Sequence, residues 1–525
     1  MSEVHVKSSE NERCWIVVGE CMGFRGYMED AVAWKEVNIS PSRVSSLRGG
    51  NFGSKSDLQD GIFTIIHDDK RGEKLMGEVD DENDHFRKSV GSKFGSSEML
   101  KEEDRSTEYE QKQLEELIVP TSACLFGLFD GHGGSQCSKY LSTVLIDVCS
   151  EMIEKSVLKY MENCEEDADE VVVPINLDLF TQAFTYVDIV YWVENGMKQF
   201  KTEGVSRDTV RSYLLEMDDD LIKYFPKTHR KLNIDQVYPD TVLLSQKKCF
   251  HAVKDAIQNM LDDQVIFLKD SVNCDMPGST GCTLFCFWED PTYQSKWRTI
   301  IEKGTKHSEI LKLTVDTPCL LFVCGNVGDS RAIVYDSESK GNFLLSPFSQ
   351  IDEHFLKKMG NSSIVQLSQD QRPTSDSDNH FVSTDFQQQE KTRIVNAGGE
   401  ISTGRVCGTL SVSRAFGDFE YKCNDELSYE EQIITAVPQW SVFELPLSSL
   451  SPTNPSFALL ASDGLFDEMT NVEVTTFILD YLKKLDKIEV VNLEQLVKNL
   501  IMHAIYDREC CDNVSLVLII LKPQQ

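Results

Sequence analysis

The 525-residue sequence predicts an α+β fold built in layers. Its strand candidates, rich in Val, Ile, Leu and Phe, do not alternate strictly with helix candidates, and this order favours layered sheets and helices over a doubly wound sheet. Apolar residues make up 41% of the chain and aromatic residues 9%, enough to bury a substantial core. Length alone suggests about three domains of roughly 150 residues.

The strand and helix candidates follow from composition and periodicity. The strand candidates, in chain order, are CWIVVGECMG, AVAWKEV, ACLFGLF, CTLFCFW, CLLFVCGNV, AIVYD, IITAVPQWSVFEL, FALLAS and NVSLVLII. Apolar residues recur at helical spacing from 135 to about 159, and again in VEVTTFILDYLKKL and NLEQLVKNLIMHAIYD. These three segments are predicted to be helices.

Three polar interruptions divide the pattern. Residues 41–116 are dominated by Ser, Gly, Lys, Asp and Glu, and we expect a disordered insertion there. Residues 161–248 open with ENCEEDADE but contain the helix candidates LDLFTQAFTYVDIVYWV and VRSYLLEMDDDLIKYF, which indicates partial order, and AVKDAIQNMLDDQVIFLK then predicts a return to a core helix. Residues 336–391 are rich in Ser, Asp, Gln and Asn.

Charge and cysteine usage restrict the partners and the compartment. The chain has 52 Lys and Arg against 85 Asp and Glu, and a net charge of −33 repels nucleic acid and anionic membranes. The 16 cysteines include no CxxC pair, and the first residues do not form a signal peptide. No apolar stretch approaches the ~18 to 20 residues needed to span a bilayer. We therefore expect a monomer with reduced thiols in the cytosol or the nucleus.

Carboxylates recur where apolar runs end. LFGLFDGHGG, LFVCGNVGDSR, FALLASDGLFDEM and CCDNVSLVLII each place an aspartate beside Gly or Asn, and FRGYMED adds two acidic residues. A single Asp-Gly is ordinarily a turn. Five such sites at strand edges indicate a cluster, and clustered carboxylates repel one another unless a positive charge lies among them. The residues are Glu29, Asp30, Asp130, Asp329, Asp463 and Asp512.

The residue types favour a hard divalent cation. Oxygen ligands suit Mg²⁺ or Mn²⁺, and the His and Cys residues show no zinc-ligand spacing. Two such ions can share a water, lower its pKa and present it for in-line attack on phosphorus. Arg25, four residues before Glu29, would then bind the phosphate, and His132, two residues after Asp130, would protonate the leaving group. Taken alone, Arg25 could be a surface arginine and His132 a helix cap.

Seven segments in order resemble the metal-dependent protein serine/threonine phosphatases of type 2C. They are GFRGYMEDA, LFGLFDGHGG, GSTGCT, VCGNVGDSRA, GTLSVSRAFGD, ALLASDGLFDEMT and CDNVSLVLI. The resemblance extends from about residue 14 to 520, apart from the three interruptions, and predicts a single catalytic domain over 13–522. It implies a sandwich of two antiparallel β-sheets flanked by helices, with a two-metal centre at one edge.

The resemblance also implies roles for single residues. Asp130 would bridge both ions, and the Gly131 carbonyl would ligate one of them. Glu29 would bind beside these two, and Asp463 and Asp512 would complete the second ion. The implied cofactors are therefore two Mg²⁺ or Mn²⁺ ions.

Four further roles are implied around this centre. Asp329, with Asp463, would hold a third and weaker ion. Arg25 would bind the phosphate, His132 would be the general acid, and Asp30 would hold ligand waters or Arg25. The sequence departs from the family in SQDQRP, where Gln371 replaces a common histidine. The substrate-facing flap, at about 401–422, therefore gives no guide to substrate specificity. Arg414 and Asp418, in VSRAFGD, match a motif that we interpret as structural.

The implied activity is hydrolysis of phosphoserine and phosphothreonine in phosphorylated proteins. The alternative is a pseudophosphatase scaffold that binds partners through its insertions, although no expected ligand is missing. A cysteine phosphatase is disfavoured because no Cys has an arginine after five residues, and no GxxxxGK[ST] loop indicates NTP hydrolysis.

Overall fold

Two antiparallel β-sheets pack face to face, and helices cover the outer face of each sheet. In this computed structural model the residues described are 4–25, 27–39, 121–163, 171–202, 277–288, 297–302, 311–312, 318–346, 356–373, 385–422, 424 and 427–523. The predicted insertion 41–116 and the helix candidates VRSYLLEMDDDLIKYF and AVKDAIQNMLDDQVIFLK lie outside these ranges.

The strands and helices are numbered in chain order. The strands are β1 His5–Glu10, β2 Cys14–Cys21, β3 Ala31–Ile39, β4 Thr121–Phe129, β5 Gly131–His132, β6 Val171–Asn176, β7 Gly278–Ser279, β8 Gly281–Trp288, β9 Trp297–Glu302, β10 Leu311–Lys312, β11 Cys319–Val327, β12 Arg331–Asp336, β13 Asn342–Leu345, β14 Leu356–Met359, β15 Ser362–Gln366, β16 Ile401–Ser402, β17 Arg405–Val406, β18 Gln439–Pro446, β19 Phe457–Ala461 and β20 Val514–Leu521. The α-helices are α1 Gln136–Asn163, α2 Leu177–Thr202, α3 Asp385–Asn396, α4 Asp463–Phe466, α5 Asn471–Leu482 and α6 Val490–Met502.

The two large sheets form the centre of the fold. One has seven strands in the order β1, β2, β20, β19, β12, β15, β14, and the other has six in the order β13, β18, β11, β8, β4, β3. Between them, Ile16 and Ile519 of the first sheet share one apolar core with Phe126 and Phe322 of the second. Central strands such as β11 and β20 are buried along their whole length because both of their faces are covered.

Helices complete the outer layers. On the six-stranded sheet, Leu141 of α1 and Phe184 of α2 belong to a core cluster with Phe285 and Trp440. On the seven-stranded sheet, α6 buries five apolar residues at helical spacing, namely Leu493, Leu496, Val497, Leu500 and Ile501. The four-layer α+β sandwich predicted from the sequence is confirmed, and the predicted helices at 135–159, 472–485 and 492–507 correspond to α1, α5 and α6.

Two predicted segments differ from the structure. IITAVPQWSVFEL was predicted to be strand throughout, but the strand begins at Gln439, because the Gln432 and Ile433 carbonyls accept hydrogen bonds from Arg393 rather than from a neighbouring strand. The polar stretch 336–391 contains three strands, and β15 lies inside the sheet between β12 and β14. Short hydroxyl side chains such as Ser362 and Ser363 are buried there, so its polar composition does not exclude it from the sheet.

The first interruption joins two neighbouring strands. β3 and β4 pair antiparallel over their whole length, with Ile39 opposite Thr121, and β3 is the edge strand of its sheet. Residues 40–120 therefore connect adjacent strand ends. Among the described residues, no helix is both long and apolar enough to cross a membrane.

Candidate active site

Strand ends from both sheets bring the predicted carboxylates to one place. Asp130 directly follows β4 of the six-stranded sheet. Asp329 lies between β11 of that sheet and β12 of the seven-stranded sheet. Asp463 begins α4, which follows β19, and Asp512 lies just before β20. Both of these strands belong to the seven-stranded sheet. The charges of Asp30, Asp463 and Asp329 all act on the carboxyl group of Asp130, which places the four in one electrostatic cluster.

The backbone of Asp130 is held by the GSTGCT segment. Its N–H donates to the Thr280 hydroxyl at 3.2 Å, and its carbonyl accepts from the Thr280 N–H at 2.8 Å and from the Ser279 hydroxyl at 3.1 Å. The Thr280 hydroxyl also lies 2.8 Å from that of Ser330, next to Asp329. This segment therefore ties together the turns that carry two of the carboxylates.

Burial and mutual repulsion make these carboxylates hard to ionise. Burial raises the pKa of Asp130 well above its usual range, and the charges of Asp30, Asp463 and Asp329 raise it further. Burial likewise raises the pKa of Asp463 well above its usual range, and burial raises that of Asp30 to about 6. A cation placed among them would remove this cost.

The donor set at Asp130 fits divalent ions. Neither carboxyl oxygen of Asp30 has a hydrogen-bond partner of ordinary geometry, although both are buried. In the described ranges, no three His, Cys, Asp or Glu side chains form a group that could hold an ion by themselves. Mg²⁺ commonly keeps several waters and takes only one or two carboxylates. Water would therefore have to complete the coordination, and the unpartnered oxygens of Asp30 suit bonds to such waters.

Glu29 is fixed at both its side chain and its backbone. Oε1 accepts from the Gly134 N–H at 2.7 Å, and Oε2 accepts from Arg25 at 3.0 Å. The Glu29 N–H donates to the Asn513 side chain at 2.8 Å, and the Ser138 hydroxyl donates to the Glu29 carbonyl. Two chain segments far apart in sequence therefore meet at Glu29.

Arg25 bridges two of the predicted metal ligands. Its Nη1 lies 3.0 Å from Glu29 and its Nη2 lies 2.6 Å from Asp512, while 39% of the side chain stays exposed. Asp30 is not among its ion-pair partners in the described residues.

Gly131 is a position where no side chain fits. A Cβ built there would lie 2.5 Å from the Glu29 carbonyl oxygen and 2.9 Å from the Ser138 hydroxyl. The glycine thus allows the turn after β4 to approach the backbone of Glu29. Its short strand, β5, pairs with β7 and stays beside the GSTGCT segment.

His132 contacts a residue that the sequence analysis interpreted as structural. Its Nε2 lies 2.7 Å from Oδ2 of Asp418, and about a third of the imidazole is exposed. Burial opposes a charge on the ring, but the attraction and hydrogen bond of Asp418, together with the charges of Asp329 and Glu29, raise the pKa of His132. Asp418 has a left-handed backbone with φ 47°.

A buried ion pair lies beneath Asp418. Lys422 and Asp188 are both fully buried and are 2.6 Å apart, and the Tyr429 hydroxyl also donates to Asp188. The second oxygen of Asp188 accepts from the Gly417 N–H at 2.7 Å. Asp188 belongs to α2, which lies within the interruption 161–248, so this segment contacts the site through the backbone beside Asp418.

Arg372 forms ion pairs with three acidic residues of the site. Its guanidinium lies 2.8 Å from Asp329, 3.0 Å from Asp463 and 2.9 Å from Asp467. The oxygens predicted to bind a third ion are therefore already paired with a cation of the chain itself. A third ion at Asp329 and Asp463 would therefore compete with Arg372 for one oxygen of each aspartate.

Gln371, the departure from the family pattern, supports this arrangement. Its side-chain oxygen accepts from the Gly328 N–H at 2.6 Å, and its amide donates to the Asn326 carbonyl at 3.0 Å. The side chain is buried and fixes the turn that ends in Asp329.

The segment around the predicted flap is anchored at its base. Glu390 of α3 binds Arg414 at 2.7 Å and Arg393 at 2.8 Å, and Arg414 also donates to the Val437 carbonyl. Burial alone would raise the pKa of Glu390, but the two arginines lower it to about 2. These contacts agree with a structural role for Arg414.

Comparisons with known proteins agree with the motifs. Residues 308–514 match the model of the family described as Protein phosphatase 2C. The chain is 38% identical over 133 residues to "Probable protein phosphatase 2C 60" of Arabidopsis thaliana, covering 25% of this chain and 35% of that protein. It is 35% identical over 156 residues to "Probable protein phosphatase 2C 5" of Paramecium tetraurelia, covering 30% and 50%.

A fungal relative and a solved structure add to these matches. "Protein phosphatase 2C homolog 2" of Saccharomyces cerevisiae is 33% identical over 214 residues, covering 38% of this chain and 34% of that protein. A phosphatase from a pathogenic strain of Toxoplasma gondii, whose crystal structure is known, aligns with a TM-score of 0.44 at 16% identity, over 99% of this chain and 96% of that one. The matched segments span at most half the length of these three sequence relatives.

The layered sandwich and its cluster of strand-end carboxylates define an α+β protein with an acidic centre suited to divalent cations. Residues 308–514 match the protein phosphatase 2C family model, and segments of the chain are similar to members of that family.

Proposed function

We propose that this chain is a Mg²⁺- or Mn²⁺-dependent phosphatase that hydrolyses phosphoserine and phosphothreonine in proteins. One observation carries the proposal: carboxylates from the ends of both sheets meet at Asp130, between a forked cation, Arg25, and a titratable acid, His132. Phosphoryl transfer needs little more than electrostatic stabilisation and positioning, and this arrangement supplies both.

The ligands proposed for two ions are Glu29, Asp130, the Gly131 carbonyl, Asp463 and Asp512, with Asp30 holding their waters. Two bound ions would supply Lewis acidity and a water of lowered pKa. Arg372 restricts Asp329 and Asp463, so a third ion would have to compete with it.

Arg25 would bind the phosphate. Its side chain is 39% exposed and its guanidinium is forked, so it can donate hydrogen bonds to two phosphate oxygens while Glu29 fixes its orientation. Its contact with Asp512 is the more exposed of its two ion pairs and is the one we expect substrate to replace.

His132 would donate the proton that the leaving group needs. As the water oxygen bonds to phosphorus, the bond from phosphorus to the serine or threonine oxygen breaks, and that oxygen takes a proton from the imidazole. The products are inorganic phosphate and the free hydroxyl. Asp418 keeps the ring oriented and raises its pKa, so that it carries this proton near neutral pH.

The proposed partners are phosphorylated proteins, and nucleic acid and membranes are not proposed as partners. The charge of −33 favours basic substrate segments over acidic ones, and this preference should weaken with salt. We propose a monomer that acts in the cytosol or the nucleus.

The test is phosphate release from a set of phosphoserine and phosphothreonine peptides with Mn²⁺, with and without a chelator. We expect turnover that the chelator abolishes and that Asp130→Ala removes, with weaker Mn²⁺ binding at both sites by calorimetry. Asp480→Ala, at an exposed aspartate of α5, is the matched control and should leave both unchanged. No turnover of any peptide by the wild type, or no effect of Asp130→Ala, would contradict the proposal.

A further inference from the structure

A cluster of exposed apolar side chains adjoins Arg25. Six large apolar side chains are exposed in the described part of the chain, and four of them are within three residues of Arg25 or touch such a residue. Single exposed apolar residues are ordinary, whereas a cluster beside a binding site commonly marks a contact surface. These four, here called the Phe24 patch, are Met22 (38% exposed), Phe24 (64%), Tyr27 (60%) and Tyr506 (39%).

The Phe24 patch is held in place although it is exposed. The rings of Phe24 and Tyr506 meet edge to face, with centroids 6.0 Å apart and planes at 81°. This contact joins the loop between β2 and β3 to the π-helical turn His503–Asp507 that follows α6. An edge-to-face pair of this kind stabilises the position of both rings.

Backbone hydrogen bonds fix the same loop. The Asn513 side chain donates to the Met22 carbonyl at 3.0 Å and to the Tyr27 carbonyl at 3.2 Å, and the Arg25 N–H donates to the Met22 carbonyl at 3.2 Å. A surface that is already ordered loses little conformational entropy when a ligand binds. The exposed side chains of the patch are therefore held in positions suited to binding a ligand.

We propose that the Phe24 patch binds an aliphatic or aromatic side chain of the substrate, one or two residues from the phosphorylated residue. The inference rests on the proposed function, because it takes Arg25 as the phosphate ligand. Neighbouring residues of an extended peptide are about 3.3–3.6 Å apart along the chain. Because Phe24 directly precedes Arg25, we assign the contact to a side chain within two residues of the phosphate. Aromatic surfaces of this kind supply much of the binding energy in peptide recognition.

The charges around the patch agree with a peptide occupant whose contact is apolar and not acidic. Asp507, next to Tyr506, is 69% exposed and pairs with His503, and Glu29 and Asp512 pair with Arg25. These carboxylates disfavour an acidic side chain, and it is the exposed apolar surface of the patch that favours an apolar one. The substrate class assigned is therefore a phosphopeptide with an apolar neighbour to its phosphorylated residue.

The experiment uses phosphopeptides that differ only in carrying Leu or Ala at one of the two positions on either side of the phosphoserine. KM, kcat and binding by fluorescence anisotropy are measured for the full chain with Mn²⁺. At one position or more we expect the wild type to prefer Leu by about tenfold in kcat/KM, mostly through KM, as for burial of a few methylene groups. Phe24→Ala and Tyr506→Ala should each reduce this preference to about twofold. The control is Val491→Ala, at an exposed valine of α6 outside the patch, which should retain it.

The outcomes separate this inference from the proposed function. An equal preference in the wild type and in both patch variants overturns the inference, and so does the absence of any preference in the wild type. A preference seen in binding but without turnover supports the patch and contradicts only the proposed function. If the patch variants lose affinity equally for the Leu and the Ala peptide, the patch does not distinguish the side chain next to the phosphoserine, and the inference is also overturned.

Discussion

His132 and Asp418 are 286 residues apart in sequence, yet the Nε2 of one lies 2.7 Å from an oxygen of the other. Burial alone would lower the pKa of His132, but Asp418, with smaller contributions from the charges of Asp329 and Glu29, raises it. A raised pKa keeps a general acid protonated to higher pH, so Asp418 sets the upper limit of the pH range in which His132 can donate.

Removing this carboxylate should shift the pH dependence of turnover. In Asp418→Asn the pKa of His132 falls, so the alkaline limb of the kcat profile moves to lower pH, and kcat near pH 8 falls by about tenfold or more. KM should change less than kcat, because Asp418 is not proposed to bind the phosphate. Superimposable pH profiles of the two proteins would contradict this, and Asp480→Asn serves as the control.

The same pair affects stability with a definite sign. Because the folded-state pKa of His132 is raised, the interaction stabilises the fold fully below the unfolded value, about 6.5, and is lost as pH rises through the folded value. Asp418→Asn should therefore lower the free energy of unfolding more at pH 5.5 than at pH 9. Urea titrations of metal-free protein at the two pH values measure this difference.

The buried pair of Lys422 and Asp188 should be costly to break. Lys422→Met leaves the Asp188 carboxylate buried with only its hydrogen bonds, which should lower the free energy of unfolding by about 3–5 kcal/mol. Adding Asp188→Leu removes the stranded charge and should recover part of this loss. Lys483→Met, at an exposed pair, should change stability by about 0.5 kcal/mol or less in the same urea titrations. A loss of that small size in Lys422→Met would show that the buried charges are not coupled.

Arg372 should compete with divalent ions for the aspartates it holds. In Arg372→Gln the oxygens of Asp329, Asp463 and Asp467 lose their cation, so calorimetry with Mn²⁺ should show an additional weak site, or a weakest site strengthened by about tenfold. Arg331→Gln is the matched control, because Arg331 pairs with Asp370 and not with these residues. The same number of ions with the same affinities in all three proteins would rule out the competition.

The connection between β3 and β4 should be replaceable. Because Ile39 and Thr121 are paired neighbours, a turn of about four residues containing Asn-Gly can join the two strands in place of residues 40–120. We expect a folded protein whose Tm stays within a few degrees, and whose kcat on a small aryl phosphate stays within about twofold. Circular dichroism and a melting curve test this, and insoluble or unfolded protein would show that residues 40–120 supply part of the core.

The sequence predicted the layered fold and its principal carboxylates because both depend on local patterns. An apolar run that ends in Asp beside Gly marks the end of a strand wherever the strand lies in the sheet. Asp418, Lys422 and Arg372 were not predicted as site residues, because their importance comes from contacts with residues distant in sequence. The position of Asp467 near Asp463 could have been predicted from the sequence. It follows Asp463 by four residues in LASDGLFDEM, and this spacing places two side chains on the same face of a helix.

Glu29 and Asn513, joined by a hydrogen bond of 2.8 Å, are 484 residues apart, and β20 lies between β2 and β19 in its sheet. A ribosome must therefore have made the chain as far as β20 before the seven-stranded sheet can close and Asp512 can meet Arg25. Contacts of such long sequence separation form slowly and late. A product that ends before Asp512 would lack both β20, an interior strand of this sheet, and the Asp512 carboxylate of the acidic centre.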